Sequence, residues 1–208
     1  RNNLTLTPLL SGERLAALKG DKPDIWGLVG DKQGKRLAMP VGNGKPNGGI
    51  VVDIVILTTA GGRELLRIAD GRRNYSPSFS PDGKYLAYYS TDPDMGVDLS
   101  RPIEHSAGRI LDVSTGQSRT ITDPFVDKGE WLFSTPPQWF DEKHVAFSTL
   151  STDMESIREQ VPDFSGTMCA LFAIANPATG DTKRMFVPWG TLPPTVVRDV
   201  RNGRLVFT

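Results

Sequence analysis

The chain is short of cysteine and histidine, has no net charge and contains no long apolar run. Each shortage removes a class of function. One cysteine among 208 residues, Cys169, cannot build an internal disulfide framework. It stands in Thr167-Met168-Cys169-Ala170-Leu171, inside a predicted strand, and reads as a buried small hydrophobe ahead of a reactive thiol. The two histidines, His105 and His144, are far apart, so the clustered His and Cys ligands of a zinc site are missing. Lys plus Arg and Asp plus Glu are equal at 24 each, which removes the basic footprint of a nucleic-acid binder and any general pull toward anionic lipid. No apolar run approaches the roughly 18 residues of a spanning helix, so no transmembrane segment is expected. No Gly-x-Ser-x-Gly nucleophile elbow occurs. No catalytic residue is assigned, no cofactor is expected, and the chain does not read as an enzyme.

What the chain has is repetition. Gly34-Lys35-Arg36-Leu37-Ala38-Met39 returns as Gly83-Lys84-Tyr85-Leu86-Ala87-Tyr88, then as Lys143-His144-Val145-Ala146-Phe147, and last as Gly203-Arg204-Leu205-Val206-Phe207. Leu37 and Leu86 are 49 apart, Leu86 and Val145 are 59 apart, and Val145 and Leu205 are 60 apart. A period of this size marks repeated supersecondary units, none of which can bury its apolar face alone. Twenty-one Gly and 16 Pro supply the turns between short strands.

Within a period the order is constant. An apolar first strand follows a proline, as at Pro77-Ser78-Phe79-Ser80 and Pro137-Gln138-Trp139-Phe140. A tight turn comes next, clearest at Pro81-Asp82-Gly83, where Pro presets φ and Gly accepts a positive one. The second strand carries the repeated apolar motif, third strands are predicted at 52–57, 109–113 and 170–175, and fourth strands at 64–68, 118–121 and 182–187. Gly-bearing hairpins join third to fourth strands at 59–62, 114–117 and 178–181. Four antiparallel strands per unit is the grammar of a β-propeller blade. Trp26, Phe79 and Trp139 are read as equivalent first-strand residues that pack between blades.

The stretch Pro77-Ser78-Phe79-Ser80-Pro81-Asp82-Gly83-Lys84-Tyr85-Leu86-Ala87-Tyr88 resembles the repeat of TolB-type (WD40-like) propellers, also seen in the propellers of prolyl-oligopeptidase-like peptidases. The resemblance is partial at 34–39, where Lys32-Gln33 replaces Pro-Asp, and weaker at 141–143, where the turn is shorter and lacks glycine. It implies an all-β propeller with complete blades at about 23–70, 74–122 and 136–187. Residues 4–20 read as the last two strands of a blade and 194–208 as the first two. Two architectures follow: a composite blade of 1–20 with 194–208 that closes a four-bladed ring, or an open part of a larger propeller. An open half-ring would leave long unpaired edges, which favours closure.

Antiparallel order puts the short turns at 31–34, 60–62, 81–83, 115–117 and 179–181 at one end. The long connections 40–51, 91–108, 122–136, 149–168 and 187–194 go to the other. Long insertions on one face mark a binding surface. The residues singled out there are Trp131 and Phe133, Trp189, and His105 with Arg101; tryptophan is frequent at interface hot spots. The competing reading is that each tryptophan plugs its own blade junction. His105 near Ser and Asp does not form a recognisable triad, and His144 aligns with Arg36 and Tyr85 as a strand residue. Asp92, Asp94 and Asp98 offer oxygen ligands to a hard cation, but the calcium-loop spacing fails and a solvated acidic turn is the simpler reading. Met154, Ile157 and Val161 at helical spacing, with Thr152 or Asp153 as cap, predict a short helix. It decorates the binding face or covers its own blade.

The expected function is a non-enzymatic propeller that binds another protein through the long-loop face, as a subunit or scaffold of an extracytoplasmic or membrane-associated complex. The alternative is the gating propeller of a prolyl-oligopeptidase-like hydrolase whose catalytic domain lies outside this sequence. The TolB-type resemblance implies an exported, periplasmic bacterial protein, and a first residue other than Met is compatible with a removed leader or anchor.

Overall fold

The computed structural model describes residues 27–44, 50–92, 107–121, 136–151, 153–167, 169–188, 197–201 and 204–207. Their strands are β1 (Val29–Gly30), β2 (Arg36–Gly44), β3 (Ile50–Thr58), β4 (Glu64–Ile68), β5 (Arg73–Phe79), β6 (Tyr85–Thr91) and β7 (Ala107–Asp112). There follow β8 (Ser118–Thr120), β9 (Gln138–Trp139), β10 (Val145–Ser151), β11 (Cys169–Ala175), β12 (Thr182–Pro188), β13 (Val197–Arg201) and β14 (Arg204–Phe207). Among the described residues one helix, α1 (Met154–Gln160), sits between β10 and β11.

Antiparallel pairing runs in chain order through β1-β2-β3-β4, then β5-β6-β7-β8, then β9-β10-β11-β12. The only strand pairing between the first two units among the described residues is one parallel pair, Val52 with Arg73. There the Val52 N–H donates to the Arg72 carbonyl at 3.0 Å. Strands β13 and β14 form a two-stranded hairpin.

The repeated turns explain the repeated sequence. In the second unit the Ser80 N–H donates to the Tyr85 carbonyl at 2.9 Å and the Ser80 hydroxyl accepts the Tyr85 N–H at 2.9 Å. Asp82 accepts the Ser80 hydroxyl at 2.7 Å and the Lys84 N–H at 3.1 Å. In the first unit Asp31 stands where Ser80 stands and does the work of both side chains. Its carboxylate accepts the Lys35 and Arg36 N–H groups at 2.7 and 3.2 Å and pairs with Arg36 Nε at 2.8 Å. Loss of the Pro-Asp pair is thereby offset one position earlier. In the third unit the turn closes from Phe140 to His144, one residue tighter, and Asp141 accepts the Lys143 N–H at 2.6 Å.

Gly83 has φ +71°, and a Cβ there would run into the Arg36 guanidinium reaching across from the first unit. Gly83→Ala is expected to cost about 1–2 kcal/mol from the left-handed backbone alone. Urea denaturation should show the midpoint falling at constant slope.

The core lies between units, because a strand in such a stack has two buried faces. Along β6 the even positions Leu86 and Tyr88 join Ala38, Ile54, Ile56, Ile68, Phe79 and Leu111 in the seam with the first unit. The odd positions Ala87 and Tyr89 join Val145, Phe147, Leu171 and Ala173 in the seam with the third. Cys169 is fully buried in this second seam, as a small hydrophobe should be.

Two expectations are corrected. Phe79 pairs with Leu86 and Trp139 with Val145, but the residue opposite Leu37 is Gly30. Trp26 therefore lies four positions before the equivalent site and outside the described residues. The connection expected over 40–51 is mostly strand: β2 and β3 pair continuously from Arg36 with Thr58 to Gly44 with Ile50. Pro40 and the glycines read locally as a loop, yet the apolar partner strand draws them into the sheet.

Candidate interaction face

Hydrogen bonds tie the short turns together at one end. The Thr59 N–H and hydroxyl reach the carbonyls of Lys35 and Gly34 at 2.9 and 2.8 Å, and the Val113 N–H reaches the Lys84 carbonyl at 2.9 Å. Asp112 closes the β7–β8 hairpin through the Ser114 and Thr115 N–H groups at 2.8 and 3.2 Å, and Asn176 repeats this with Ala178 and Thr179 at 2.9 and 3.3 Å. Hydrogen bonds from Ser114 hold the Asp112 carboxyl below its ordinary range against its burial. For Asp31, burial pushes upward, but hydrogen bonds from Arg36 and Lys35 outweigh it and hold the carboxyl low. Both turns therefore weaken as acid protonates these groups through their lowered values.

The opposite end receives the linker 69–72, the close of β6 and α1. A polar network pins this end of the first seam. Asp70 takes Asn74 Nδ2 at 2.9 Å on one oxygen and Arg109 Nη1 at 2.6 Å on the other. Arg109 Nη2 donates to the Ser118 hydroxyl at 3.0 Å. Arg72 Nε donates to the Ser90 hydroxyl at 2.9 Å, and Arg72 Nη1 pairs with Asp92 at 2.7 Å. Burial pushes the Tyr88 phenol upward in this seam, opposed by Ser118 and Arg109. Asn74 and Ser90 are fully buried, so the network is part of the packing as well as of the surface.

Sequence reasoning missed this network. Asp70 and Arg109 are 39 positions apart, and only the blade-like stacking brings them together. Asn74 gave no local signal, because β5 reads Arg73-Asn74-Tyr75-Ser76-Pro77-Ser78-Phe79, with polar residues throughout.

Of the residues singled out from sequence, Asp92 is described. It is the root of the 93–106 connection, and its carboxylate is held by a guanidinium. Arg101, His105, Trp131, Phe133, Trp189, Asp94 and Asp98 lie outside the described residues. Among the described residues no cluster of His, Cys, Asp and Glu has the makings of a metal site, and no helix is long and apolar enough to cross a membrane.

Helix α1 is capped by Asp153, which accepts the Ser156 N–H at 3.4 Å and its hydroxyl at 2.8 Å. Ile157 is fully buried in the second seam, with Met154 and Phe164 packed against it. The helix covers the junction of the second and third units and leaves Glu155, Arg158, Glu159 and Gln160 exposed. His144 is exposed ahead of β10, with Nδ1 3.0 Å from Asp141.

An all-β chain of stacked four-stranded units defines the propeller class, and solved structures share the fold. The β-propeller domain of the Trilobed protease from Pyrococcus furiosus, described as having an open velcro topology, superposes with a TM-score of 0.50 at 15% identity. The match covers 85% of this chain and 47% of that one. Pyrococcus horikoshii acylaminoacyl peptidase gives 0.51 at 14% identity over 74% of this chain and 24% of that one. A TolB structure from Agrobacterium tumefaciens also matches, at 14% identity over 78% of this chain and 69% of that one, but its TM-score of 0.34 supports nothing further. No protein-family profile and no curated protein sequence matches. The chain thus spans about a quarter of the acylaminoacyl peptidase and under half of the Trilobed protease propeller. At these identities the likeness shows the fold alone.

Proposed function

We propose that this chain is a non-enzymatic propeller module that binds another protein through the face opposite the short turns. The observation that carries the reading is the bonding of the short turns to one another at one end. Helix α1 stands at the other end, and the reading takes the long connections predicted from the sequence to share that end with it. A rigid scaffold presenting its long connections on one side is the usual layout of a binding surface. Trp131 and Trp189 are the anchors of that contact, with Phe133, Arg101 and His105 beside them. The setting is an extracytoplasmic complex.

Replacing Trp131 and Trp189 together by alanine is expected to weaken capture of the partner at least tenfold or so, the effect of removing an interface hot spot. A titrated pull-down from the source organism's extracts measures it. Unchanged capture at unchanged fold removes these anchors.

A second reading rests on the likeness to peptidase propellers of which this chain spans only part. In it the chain is the gating propeller of a hydrolase. An open reading frame that continues past Thr208 into a Gly-x-Ser-x-Gly domain decides for it, and a stop codon soon after Thr208 decides against it.

A further inference from the structure

We infer that the polar network in the first seam is a binding site for one ordered water, held between Asn74, Tyr88 and Arg109. This concerns the inside of the scaffold and is independent of the proposed function. Asn74 Oδ1, the Tyr88 hydroxyl and Arg109 Nε are all buried, and none finds a hydrogen-bond partner among the described residues. Asn74 and Tyr88 are 0% exposed. Burying such atoms unbonded is unfavourable, and native proteins bond nearly all of them. The orientation of the Asn74 amide is fixed by its neighbour. Its Nδ2 donates to Asp70 at 2.9 Å, and turning the amide over would set its oxygen against a carboxylate.

The three atoms gather around Asp70. Asn74 takes one carboxylate oxygen and Arg109 Nη1 the other, at 2.6 Å. Arg109 stands opposite Tyr88 in the β6–β7 register, with its guanidinium carbon 6.0 Å from the Tyr88 ring centre. Asn74 stands opposite Ser90, two positions along β6 from Tyr88 and on the same face. The Ser118 hydroxyl lies near the Tyr88 phenol but outside hydrogen-bond geometry. The walls are held in place, because Arg109 Nη2 bonds Ser118 at 3.0 Å and Arg72 Nε bonds Ser90 at 2.9 Å. Hydrogen-bond chemistry names the occupant. Asn74 Oδ1 only accepts, Arg109 Nε only donates, and the Tyr88 hydroxyl does either. One molecule must therefore donate and accept at once. A metal cation would face the guanidinium, and an anion would face the amide oxygen and Asp70. The charges around the site already cancel, Arg72 against Asp92 and Arg109 against Asp70, which favours a neutral guest. Water meets all three atoms, and Asp70, whose side chain is 27% exposed, gives it a way in.

A crystal structure of the unaltered chain, at a resolution that orders water, is the test. It is expected to show one water within hydrogen-bond distance of Asn74 Oδ1, the Tyr88 hydroxyl and Arg109 Nε. An ion in that place, a water that misses any of the three, or no water because the side chains bond one another directly, overturns the site. Oxygen-17 relaxation dispersion, which counts long-lived bound waters, supplies a second reading in solution. Asn74→Leu removes the acceptor and fills the space of the amide, so one long-lived water should be lost relative to the parent chain. Tyr88→Phe removes one of the three bonds and should release that water several-fold faster. Unchanged dispersion in either folded variant also overturns the site. If neither variant folds, the crystal structure of the unaltered chain decides.

Discussion

Replacing Tyr89 by alanine is expected to remove about 3–5 kcal/mol of stability, the range for deleting a large buried aromatic side chain. Tyr89 is fully buried at the centre of the second seam. Its ring stacks on Tyr75 and meets Phe147 edge-on, each at 5.6 Å between centroids. Its hydroxyl donates to the Ser148 carbonyl at 3.2 Å and accepts the Ser148 N–H at 2.9 Å. The reason lies in β9, which pairs with β10 only at Val145 and Ala146. Beyond that point a side chain of the neighbouring unit does what a longer inner strand would do. Burial pushes the phenol up to about 12, so it stays protonated across the working range. Tyr89→Phe keeps the ring and loses both hydrogen bonds, for an expected cost of about 1–3 kcal/mol. The difference between the two variants in urea denaturation separates packing from hydrogen bonding. A Tyr89→Ala loss below that of Tyr89→Phe would show that the seam does not depend on this residue.

Gly108→Val is the second large effect. Gly108 sits in β7 opposite Tyr89. A Cβ on it would lie 2.7–2.9 Å from three ring atoms of Phe147, closer than real Cβ contacts come. Phe147 is itself fully buried, so it has nowhere to retreat without opening the seam. The overpacking is expected to cost about 1–3 kcal/mol or more. Phe147→Ala alone should cost about 3–5 kcal/mol through the cavity it leaves. Combined, the added valine occupies part of that cavity, and the double variant should be less destabilised than the two singles together by about 0.5–3 kcal/mol. Strict additivity would mean that Gly108 is not held by Phe147.

What the sequence revealed follows from how far each feature depends on local chemistry. The turns were legible because Asp, Ser, Pro and Gly act on N–H groups two to five residues away, as Asp82 and Asp112 do. Third strands were legible because a β-strand buried on both faces reads as an apolar run, as at 50–58 and 169–175, and the more exposed fourth strands because Gly-bearing hairpins precede them. Register was not legible. Trp26 was matched to Phe79 and Trp139 by its aromatic ring, whereas the backbone places Gly30 there. The extent of β2 was missed because Pro40, Gly42 and Gly44 speak locally for a loop, and only pairing with β3 overrides them. The Asp70 network was invisible because its members meet through stacking of units. The short helix was found, and Ile157 shows that it serves the seam beneath it. The interface residues proposed from sequence, Arg101, His105, Trp131, Phe133 and Trp189, lie outside the described residues.

The alternation along β6 limits what change this molecule can accept. Because odd and even side chains serve different neighbours, a slip of one residue would send Tyr88 into the space built for Tyr89 and disrupt both seams at once. A single-residue insertion inside such a strand is therefore damaging twice over, while one in a connection is absorbed at the surface. Length variation in relatives of this chain should accumulate between strands and be purged within them. The connections are then the freest part of the molecule to diverge and acquire new specificity.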